Sequence, residues 1–596
     1  MRPRSYFIFK KLFLRLIVWT RKLSEAKMML LFAVVVGLGS GLAAVLLKEI
    51  ISLIHKLIMP TLEGRSFNIL YLLYPGIGMF ISFLLLKFVI KDNIGHGVTK
   101  VLLSLSKKKS SIKAHNTWSS VLTSAITIGF GGSVGTEAPI VYAGAAIGSN
   151  IARAFGLSYK NMTILLGCGA AGGLAGIFKA PMAGILFTLE ILLFNISMSS
   201  IIPFLASTIT ATVVSYAFLG NAVSIGNHVD PFLMNSIPLY LLLGVFCGFV
   251  SLYFTRTTLK LEDKIKLIKN PYTKWAICSA ALGLLVFLFP PLFGEGYESL
   301  SHLLKGEVLE AAGITIFGTL LSKAWIVPLF FALALLLKVF SMSFTNAGGG
   351  VGGTFGPTLI VGGIAGFVLA RIINLTGIAE VSECNFALVG MAGLMSGVMQ
   401  APMTAIFLIA EITGGYSLFM PLIITSTISY ATIHSIEPYS IYTKRIAKMG
   451  ALLTHDSDQS VLTLLNTCDL VEKKFIEVNL DDTLGDLVKA VSVSVRNIFP
   501  VVDKKGRFQG YILLDDIRKV MFDSSLYDNV YVYSLMKNAP AIVKINDSME
   551  SVMHKFETTE AWNLPVVDDE NKYIGFVSKS RIFSKYREKL HLVSHN

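Results

Sequence analysis

The chain has 596 residues, of which 53% are hydrophobic and only 15% are charged, and its formal net charge at pH 7 is +14. Its mean hydropathy of +0.65 lies well outside the range of soluble globular domains. These values exclude an ordinary soluble protein and predict a polytopic membrane protein. The five cysteines are scattered and include no CxxC pair, which predicts buried free thiols rather than a metal site or a disulfide framework.

The first 22 residues, MRPRSYFIFKKLFLRLIVWTRK, carry seven lysines or arginines and no acidic residue. The positive-inside rule therefore predicts a cytoplasmic N-terminus. A cleaved signal peptide would need an uninterrupted apolar part and a small-residue cleavage site, and neither is present. We interpret residues 1–27 as a cytoplasmic basic helix and attribute the basic excess to segments that flank membrane spans, not to a nucleic-acid surface.

Apolar stretches long enough to cross a bilayer recur between residues 28 and 436, so we predict a transmembrane domain over residues 28–450. These stretches are residues 28–54, 67–90, 117–147, 162–194, 200–219, 236–255, 274–293, 325–343, 355–374 and 385–435.

The transmembrane region contains an internal repeat. The stretch GAAGGLAGIFKAPMAGILFTLEI at 169–191 matches GMAGLMSGVMQAPMTAIFLIAEI at 390–412, with Glu190 opposite Glu411. Upstream, GTEAP at 135–139 matches GTFGP at 353–357. Two similar halves with the same glycine-rich interruptions are typical of transporters whose binding site lies between the repeats.

Three glycine-rich stretches interrupt or border the apolar runs, at residues 93–99, 129–139 and 346–357. Irregular backbone at membrane depth is tolerated only where protein or a polar cavity surrounds it. In the last two stretches a proline follows the glycines, as expected where a helix begins. Helix N-termini leave N–H groups unpaired and carry a partial positive charge, so converging ends predict an anion pathway. Alternatively, the glycines only allow close helix packing.

The second of these stretches carries a lone carboxylate, Glu137, in apolar surroundings. An ionisable residue inside a membrane is costly and is by default a candidate functional residue. Burial favours its neutral form, whereas neighbouring amides favour its charged form, so the competition leaves the group switchable. The carboxylate could also cap the helix that follows.

After about residue 450 the apolar runs shorten to strand length and charged residues become frequent, which predicts a soluble domain over residues 451–596. Residues 497–521 and 562–586 repeat each other, with Pro500 matching Pro565 and Gly510 matching Gly575. Each copy is predicted to form strand, turn, strand and helix. The pair resembles a tandem of CBS domains, at about residues 470–522 and 535–590.

Together the glycine-rich stretches, the repeat and the C-terminal pair resemble the CLC family of chloride channels and proton-coupled chloride transporters. This resemblance implies an all-α polytopic membrane domain with an inverted repeat and re-entrant half-helices, joined to a cytosolic α/β tandem CBS module. It further implies a homodimer in which each subunit has its own chloride path. It implies no cofactor and no metal, and the expected partners are membrane lipid, a second copy, chloride and protons, without nucleic acid.

The family's three filter motifs can be placed on this sequence. The first, usually GSGIP, begins here at Gly95 and has His96 for the serine and Thr99 for the proline; the second has Thr136 where the family has a base; the third, GGxFxP, is intact. The resemblance implies that the anion contacts His96, Thr354, Phe355 and Tyr442, with Tyr439 as a rival for the tyrosine. The other motif residues are Gly95, Gly97, Val98, Gly135, Thr136, Ala138, Pro139, Gly352, Gly353, Gly356 and Pro357.

His96 has two interpretations: it donates an N–H to the anion through its ring or backbone, or its ring points away into a polar interface. By resemblance Glu137 is the external gate, whose carboxylate occupies an anion position when ionised. Proton-coupled members often carry a second, internal glutamate, and Ile191 stands at that position, directly after Glu190. This favours a voltage-gated-type chloride channel, with a chloride/proton antiporter that lacks the usual internal glutamate as the alternative.

In the C-terminal pair, nucleotide-binding relatives use a Ser/Thr and an Asp three residues later. The first copy has Leu513 and Asp516, and the second has Ser578 and Arg581, so adenine-nucleotide binding through Asp516 and Ser578 is a weak hypothesis. The resemblance places the protein in the plasma (inner) membrane with both the N-terminus and the CBS pair in the cytoplasm.

Two other classes of protein are less favoured. An enzyme would need a converging set of nucleophile, base or metal ligands, and the transmembrane half offers no such cluster. A CBS-regulated cation transporter would need several acids in the membrane, whereas the apolar runs contain almost only Glu137, Glu190 and Glu411.

Overall fold

The computed structural model describes residues 20, 22–62, 69–92, 94–107, 110–192, 198–220, 229–448 and 467–585. The chain divides into two compact units, Met1–Leu453 and Thr454–Asn596. Apart from residues 20 and 22–27, the predicted N-terminal basic helix lies outside the described residues.

In the described part of the first unit, the regular secondary structure is helical. The helices are α1 (Glu25–Leu62), α2 (Leu70–Leu84), α3 (Gly97–Lys107), α4 (Asn116–Gly129), α5 (Glu137–Ala154), α6 (Tyr159–Phe178), α7 (Pro181–Glu190), α8 (Met198–Leu219), α9 (Ile237–Lys266), α10 (Pro271–Leu288), α11 (Tyr297–Leu304), α12 (Val308–Ala312), α13 (Ile326–Ala347), α14 (Phe355–Thr376), α15 (Glu383–Met399), α16 (Pro402–Ile412), α17 (Phe419–His434) and α18 (Ile441–Lys448). A π-helical turn, Leu85–Ile90, extends α2, and 3-10 turns lie at Met234–Ser236, Pro290–Leu292 and Leu320–Ser322.

Among the described residues, eight helices are long and apolar enough to cross a membrane. Helices α3, α7, α15 and α16 are apolar but shorter, below the roughly 20 residues that a full crossing requires. The predicted apolar stretch 117–147 is divided between α4 and α5, because the glycines between them break the helix. The expected fold, mostly helical with many apolar helices and short ones among them, is confirmed.

The two halves of the sequence repeat are related by a local two-fold axis. Gly135 and Gly353, which are equivalent residues, form an antiparallel backbone bridge. An antiparallel pairing between equivalent residues requires that the two copies run in opposite directions at this point. Further along, α5 approaches α6 closely at Gly144 and Gly169, and the equivalent pair in the other half is Gly362 and Gly390.

The second unit contains two copies of one α/β motif. Its elements are α19 (Thr467–Leu470), β1 (Val478–Asn479), α20 (Leu484–Val493), β2 (Ile498–Val502), β3 (Phe508–Leu513), α21 (Leu514–Ile517), the 3-10 turn Ser524–Leu526, α22 (Val532–Leu535), β4 (Val543–Lys544), α23 (Met549–Thr559), β5 (Asn563–Val567) and β6 (Tyr573–Ser578). The sheets have the orders β1-β2-β3 and β4-β5-β6.

Both sheets have the same register. The first strand pairs in parallel with the second, and the second pairs antiparallel with the third. Pro500 faces Tyr511 in one copy and Pro565 faces Phe576 in the other. The strand, turn, strand and helix order predicted for each copy is therefore confirmed, since the last strand is followed by α21 in the first copy and by helical residues 579–585 in the second.

A capping box at Thr483 starts α20, and hydrogen bonds from Lys489 and Thr483 lower the pKa of Asp486 below its ordinary value.

Candidate anion pathway

The two glycine-rich stretches bring the N-termini of α5 and α14 together. Gly135 N donates to Gly353 O at 3.1 Å, and Gly353 N donates to Gly135 O at 2.7 Å. Pro139 and Pro357 lie in the first turns of the two helices, where a missing N–H costs no hydrogen bond. Two helix ends, each with unpaired N–H groups and a partial positive charge, thus meet inside the protein.

The carboxylate of Glu137 lies on the opposite helix end. Its Oε2 accepts a hydrogen bond from Gly356 N at 3.0 Å, and its Oε1 accepts one from the Tyr297 hydroxyl at 2.8 Å. The residue is only 1% exposed. A buried carboxylate that accepts from a helix N-terminus occupies a position that suits any small anion.

Gly135 leaves room for this carboxylate. A Cβ at Gly135 would lie 2.1 Å from Glu137 Oε2 and 2.8 Å from Gly356 N, so it would fill the space in front of the amide. We expect Gly135→Ala to lower chloride flux by about tenfold, because such overpacking typically costs about 1–3 kcal/mol and about 1.4 kcal/mol corresponds to tenfold. Chloride efflux from liposomes tests this, and Gly415→Ala, whose Cβ would meet only Ser417 Oγ at 3.9 Å, is the control. Equal flux in the two variants would contradict the assignment of this space to the pathway.

Thr136, which stands at the position of the family's base, contacts a second carboxylate. Its N–H and its hydroxyl donate to Glu295 Oε1 at 3.0 Å and 2.7 Å. Glu295 lies in the segment between the 3-10 turn Pro290–Leu292 and α11. Two residues later, Tyr297 contacts Glu137, so one short segment contacts both residues.

Of the residues predicted to contact the anion, Thr354 and Tyr442 lie side by side. The Thr354 hydroxyl donates to the Tyr442 hydroxyl at 3.4 Å, and Tyr442 is 1% exposed. Tyr439, the rival for the tyrosine, is 55% exposed. Phe355 is buried, and its ring packs against Phe178 and Phe187.

The first filter motif packs against α5 through its glycine. A Cβ at Gly97 would lie 2.2 Å from the carbonyl oxygen of Ala138, so only glycine permits this approach of α3. Val98 is buried beside it, whereas Gly95 lies outside the helix with φ of 50°. In the third motif, a Cβ at Gly352 would meet Val134, and one at Gly353 would meet Ala138. The three motifs therefore pack directly on one another.

The ring of His96 points to a charged cluster. Its Nε2 lies 3.4 Å from Glu262 Oε1, and Arg445 donates to Glu262 through Nη2 at 2.5 Å and through Nε at 3.4 Å. Both Glu262 and Arg445 are buried. Of the two interpretations of His96, the geometry favours a ring engaged in a polar interface.

Glu190 and Glu411 each cap a helix in the opposite half of the repeat. The Glu190 carboxylate accepts from Met403 N at 2.9 Å, Thr404 N at 2.7 Å and the Thr404 hydroxyl at 2.6 Å. The Glu411 carboxylate accepts from Met182 N and Ala183 N, both at 2.9 Å. Each glutamate thus caps the N-terminus of the helix equivalent to its own in the other half. Ile191, at the internal proton position, is buried and apolar.

We expect Glu190→Ala to destabilise the folded protein by about 2–3 kcal/mol, because three donors lose a charged acceptor and hydrogen bonds to charged groups contribute about 1.5–3 kcal/mol. Thermal unfolding in detergent measures the change. Glu310→Ala, at an exposed position, is the control. Equal unfolding temperatures for the two variants would show that the cap is not structural.

In the second unit, both predicted nucleotide contacts already have protein partners. Lys537 Nζ donates to Asp516 Oδ1 at 2.7 Å, and the Ser578 hydroxyl donates to Glu472 Oε1 at 2.8 Å. A nucleotide at either position would have to displace these contacts.

Sequence reasoning missed five residues around the pathway: Tyr297, Glu295, Lys338, Glu262 and Arg445. Of these, Lys338 gave a signal, since it is a lysine inside the predicted apolar stretch 325–343. Intramembrane bases deserve the same scrutiny as intramembrane acids.

Comparisons with known proteins agree with this architecture. A family model described as voltage gated chloride channel matches residues 77–434, more than half of the chain, and a CBS domain model matches residues 468–523 and 532–588. A ClcB-like protein of Ralstonia nicotianae is 27% identical over 385 residues, which cover 63% of this chain and 85% of that protein. Chloride channel protein CLC-e of Arabidopsis thaliana is 26% identical over 427 residues, which cover 66% of this chain and 58% of that protein, less than two thirds of its length.

The fold matches a solved structure over most of the length of both chains. The crystal structure of a slow cyanobacterial Cl-/H+ antiporter superposes with a TM-score of 0.61 at 23% identity, covering 72% of this chain and 98% of that one. At this identity the likeness concerns the fold alone.

Proposed function

The chain belongs to the voltage-gated chloride channel (CLC) family, and from this premise we propose that it carries chloride across a membrane through a path between α5 and α14. The single observation that carries the proposal is the Glu137 carboxylate, which accepts from Gly356 N at the end of the opposite helix. Amide donors suit a conducting site, because they hold an anion without binding it as strongly as a full positive charge would.

Glu137 acts as the gate in this proposal. When ionised, its carboxylate occupies the amides that an anion needs, and the path is closed. When protonated, it loses the charge that holds it on the helix end and gives way to chloride. Lowering the pH on the side of the membrane from which protons reach Glu137 therefore opens the path.

We favour a channel of the voltage-gated type over a proton-coupled antiporter. Ile191 cannot carry a proton, and the neighbouring Glu190 is held by three hydrogen bonds from α16. The alternative is chloride/proton antiport through Glu137, the activity named for a solved protein of the same fold. It would require another group to pass the proton inward.

Reconstitution in liposomes separates the two functions. With a chloride gradient imposed, chloride efflux and external pH are recorded together. The channel predicts efflux without proton movement against its gradient. Proton uptake driven uphill by chloride, and abolished by Glu137→Ala, would establish the antiporter instead.

The family resemblance extends the proposal to the assembly and its location. We propose a homodimer in which each subunit has its own path, set in the plasma (inner) membrane with the CBS pair in the cytoplasm. For the CBS pair we favour a role in stabilising the dimer over nucleotide binding, since Asp516 and Ser578 are engaged by Lys537 and Glu472. Cross-linking in the membrane tests the dimer, and a calorimetric titration of the full chain with ATP tests the nucleotide.

A further inference from the structure

We propose that Glu295 is a positioning residue for the gate, and that its carboxylate sets the pH at which Glu137 leaves the anion path. The inference rests on the proposed function, because it presupposes that Glu137 closes the path. It adds a second carboxylate, outside the three filter motifs, to the control of that path.

The two carboxylates lie on the two helix ends that meet in the pathway. Glu137 accepts from Gly356 N at the start of α14, and Glu295 accepts from Thr136 N at the start of α5. Thr136 directly precedes Glu137 in the chain. Each of the two paired helix ends therefore has a carboxylate bound to it. Glu295, which is bound at the start of α5, also fixes the backbone directly beside Glu137.

The segment that carries Glu295 is held firmly in place. Gly294 N donates to Gly131 O at 3.1 Å, and Lys338 Nζ donates to Gly294 O at 3.1 Å and to Leu292 O at 3.5 Å. Lys338 is fully buried. Two residues beyond Glu295, the Tyr297 hydroxyl donates to Glu137 Oε1. A fixed segment thus contacts the gate on two sides, through Thr136 and through Tyr297.

Charges from several elements face Glu295. Glu137 on α5 and Tyr297 on α11 interact with it, as do Lys48 on α1 and Lys338 on α13. The lysines offset part of its charge, and Lys48 also faces Lys179. The negative charge of the half-buried Glu295 repels a second negative charge on the buried Glu137 carboxylate. Thr136 supplies no compensating charge, although the family usually has a base there.

The sign of the effect follows from this repulsion. While Glu295 is charged, it disfavours a second negative charge on Glu137 and so favours the open, protonated gate. Neutralising Glu295 stabilises the charged form of Glu137. The path then stays closed until the pH falls further than in the wild-type protein. In Glu295→Gln the amide oxygen still accepts from Thr136, so only the charge is lost.

The test is the pH dependence of chloride efflux from liposomes that contain the full chain. We expect the midpoint of the efflux–pH curve to move about one unit to lower pH in Glu295→Gln. Glu295→Asp, which keeps the charge, should retain the wild-type midpoint. Glu298→Gln neutralises an exposed carboxylate on the same segment and should also leave the midpoint unchanged.

A second background separates this inference from the proposed function. In Glu137→Ala the efflux should no longer depend on pH, and adding Glu295→Gln should change nothing. An unmoved midpoint in Glu295→Gln, with pH-independent efflux in Glu137→Ala, would overturn the role of Glu295 alone. Persistent pH dependence in Glu137→Ala would overturn the gate itself.

Discussion

Glu137→Ala will conduct chloride without pH dependence, and at alkaline pH, where the wild-type carboxylate is ionised and closes the path, its flux will exceed that of the wild-type protein by at least about tenfold. The wild-type carboxylate accepts from Gly356 N and from the Tyr297 hydroxyl. Hydrogen bonds to a charged group contribute about 1.5–3 kcal/mol each, and an entering anion must displace them, so their removal is worth a factor of ten or more. Chloride efflux from liposomes between acid and alkaline pH measures both effects.

Two variants control this experiment. Glu137→Gln keeps the size of the side chain but not its charge, and it should resemble wild-type protein at acid pH. Glu298→Ala removes an exposed carboxylate near the pathway and should behave as wild type. If the alanine variant at Glu137 kept the wild-type pH profile, the carboxylate would be a helix cap and no gate.

Arg445→Met will destabilise the folded protein by about 3–5 kcal/mol, the largest stability change that we expect in the transmembrane unit. Arg445 donates twice to Glu262, and both side chains are buried. Without the guanidinium, the Glu262 carboxylate is left with His96 as its remaining basic neighbour in this cluster. A buried charge that has lost its partner costs far more than the intact pair contributes. Thermal unfolding in detergent measures the loss.

A double variant tests whether the unpaired charge of Glu262 causes the loss of stability. Arg445→Met combined with Glu262→Gln removes both charges and should recover most of the lost stability. Lys448→Met, which breaks an exposed ion pair with Asp263 on the same two helices, should cost about 1 kcal/mol or less. A double variant as unstable as Arg445→Met would show that lost packing, rather than the stranded charge, explains the effect.

The repeats made much of the fold predictable. Residues such as Gly135 and Gly353, or Glu190 and Glu411, occupy matching places in the two halves of the sequence, and the structure pairs them across a local two-fold axis. The direction of the repeats was not predictable from the residues alone, since a repeated pattern reads the same whether the copies run parallel or inverted. Only the antiparallel bridge between equivalent glycines reveals it.

The pathway residues were predictable where they lie in motifs and unpredictable where they meet through tertiary packing. Glu137, Thr354 and Tyr442 are identified by their neighbours in sequence, and the structure brings Tyr442 to Thr354. Glu295 lies in a segment without a motif, and it reaches Thr136 from 159 residues away. His96 gave two interpretations, because the position of Glu262 beside it depends on the packing of α9.

We propose that the Glu137 carboxylate and the anion bind in turn at the same position. Crystals grown in bromide test this directly, because the anomalous signal of bromide marks the anion. We expect a bromide peak against Gly356 N in Glu137→Ala, at the place that the Glu137 carboxylate takes in the wild-type protein. Wild-type crystals grown at alkaline pH, where the carboxylate is ionised, should lack that peak. Bromide bound at this amide beside an unmoved carboxylate, or no bromide there in a variant that conducts, would contradict it.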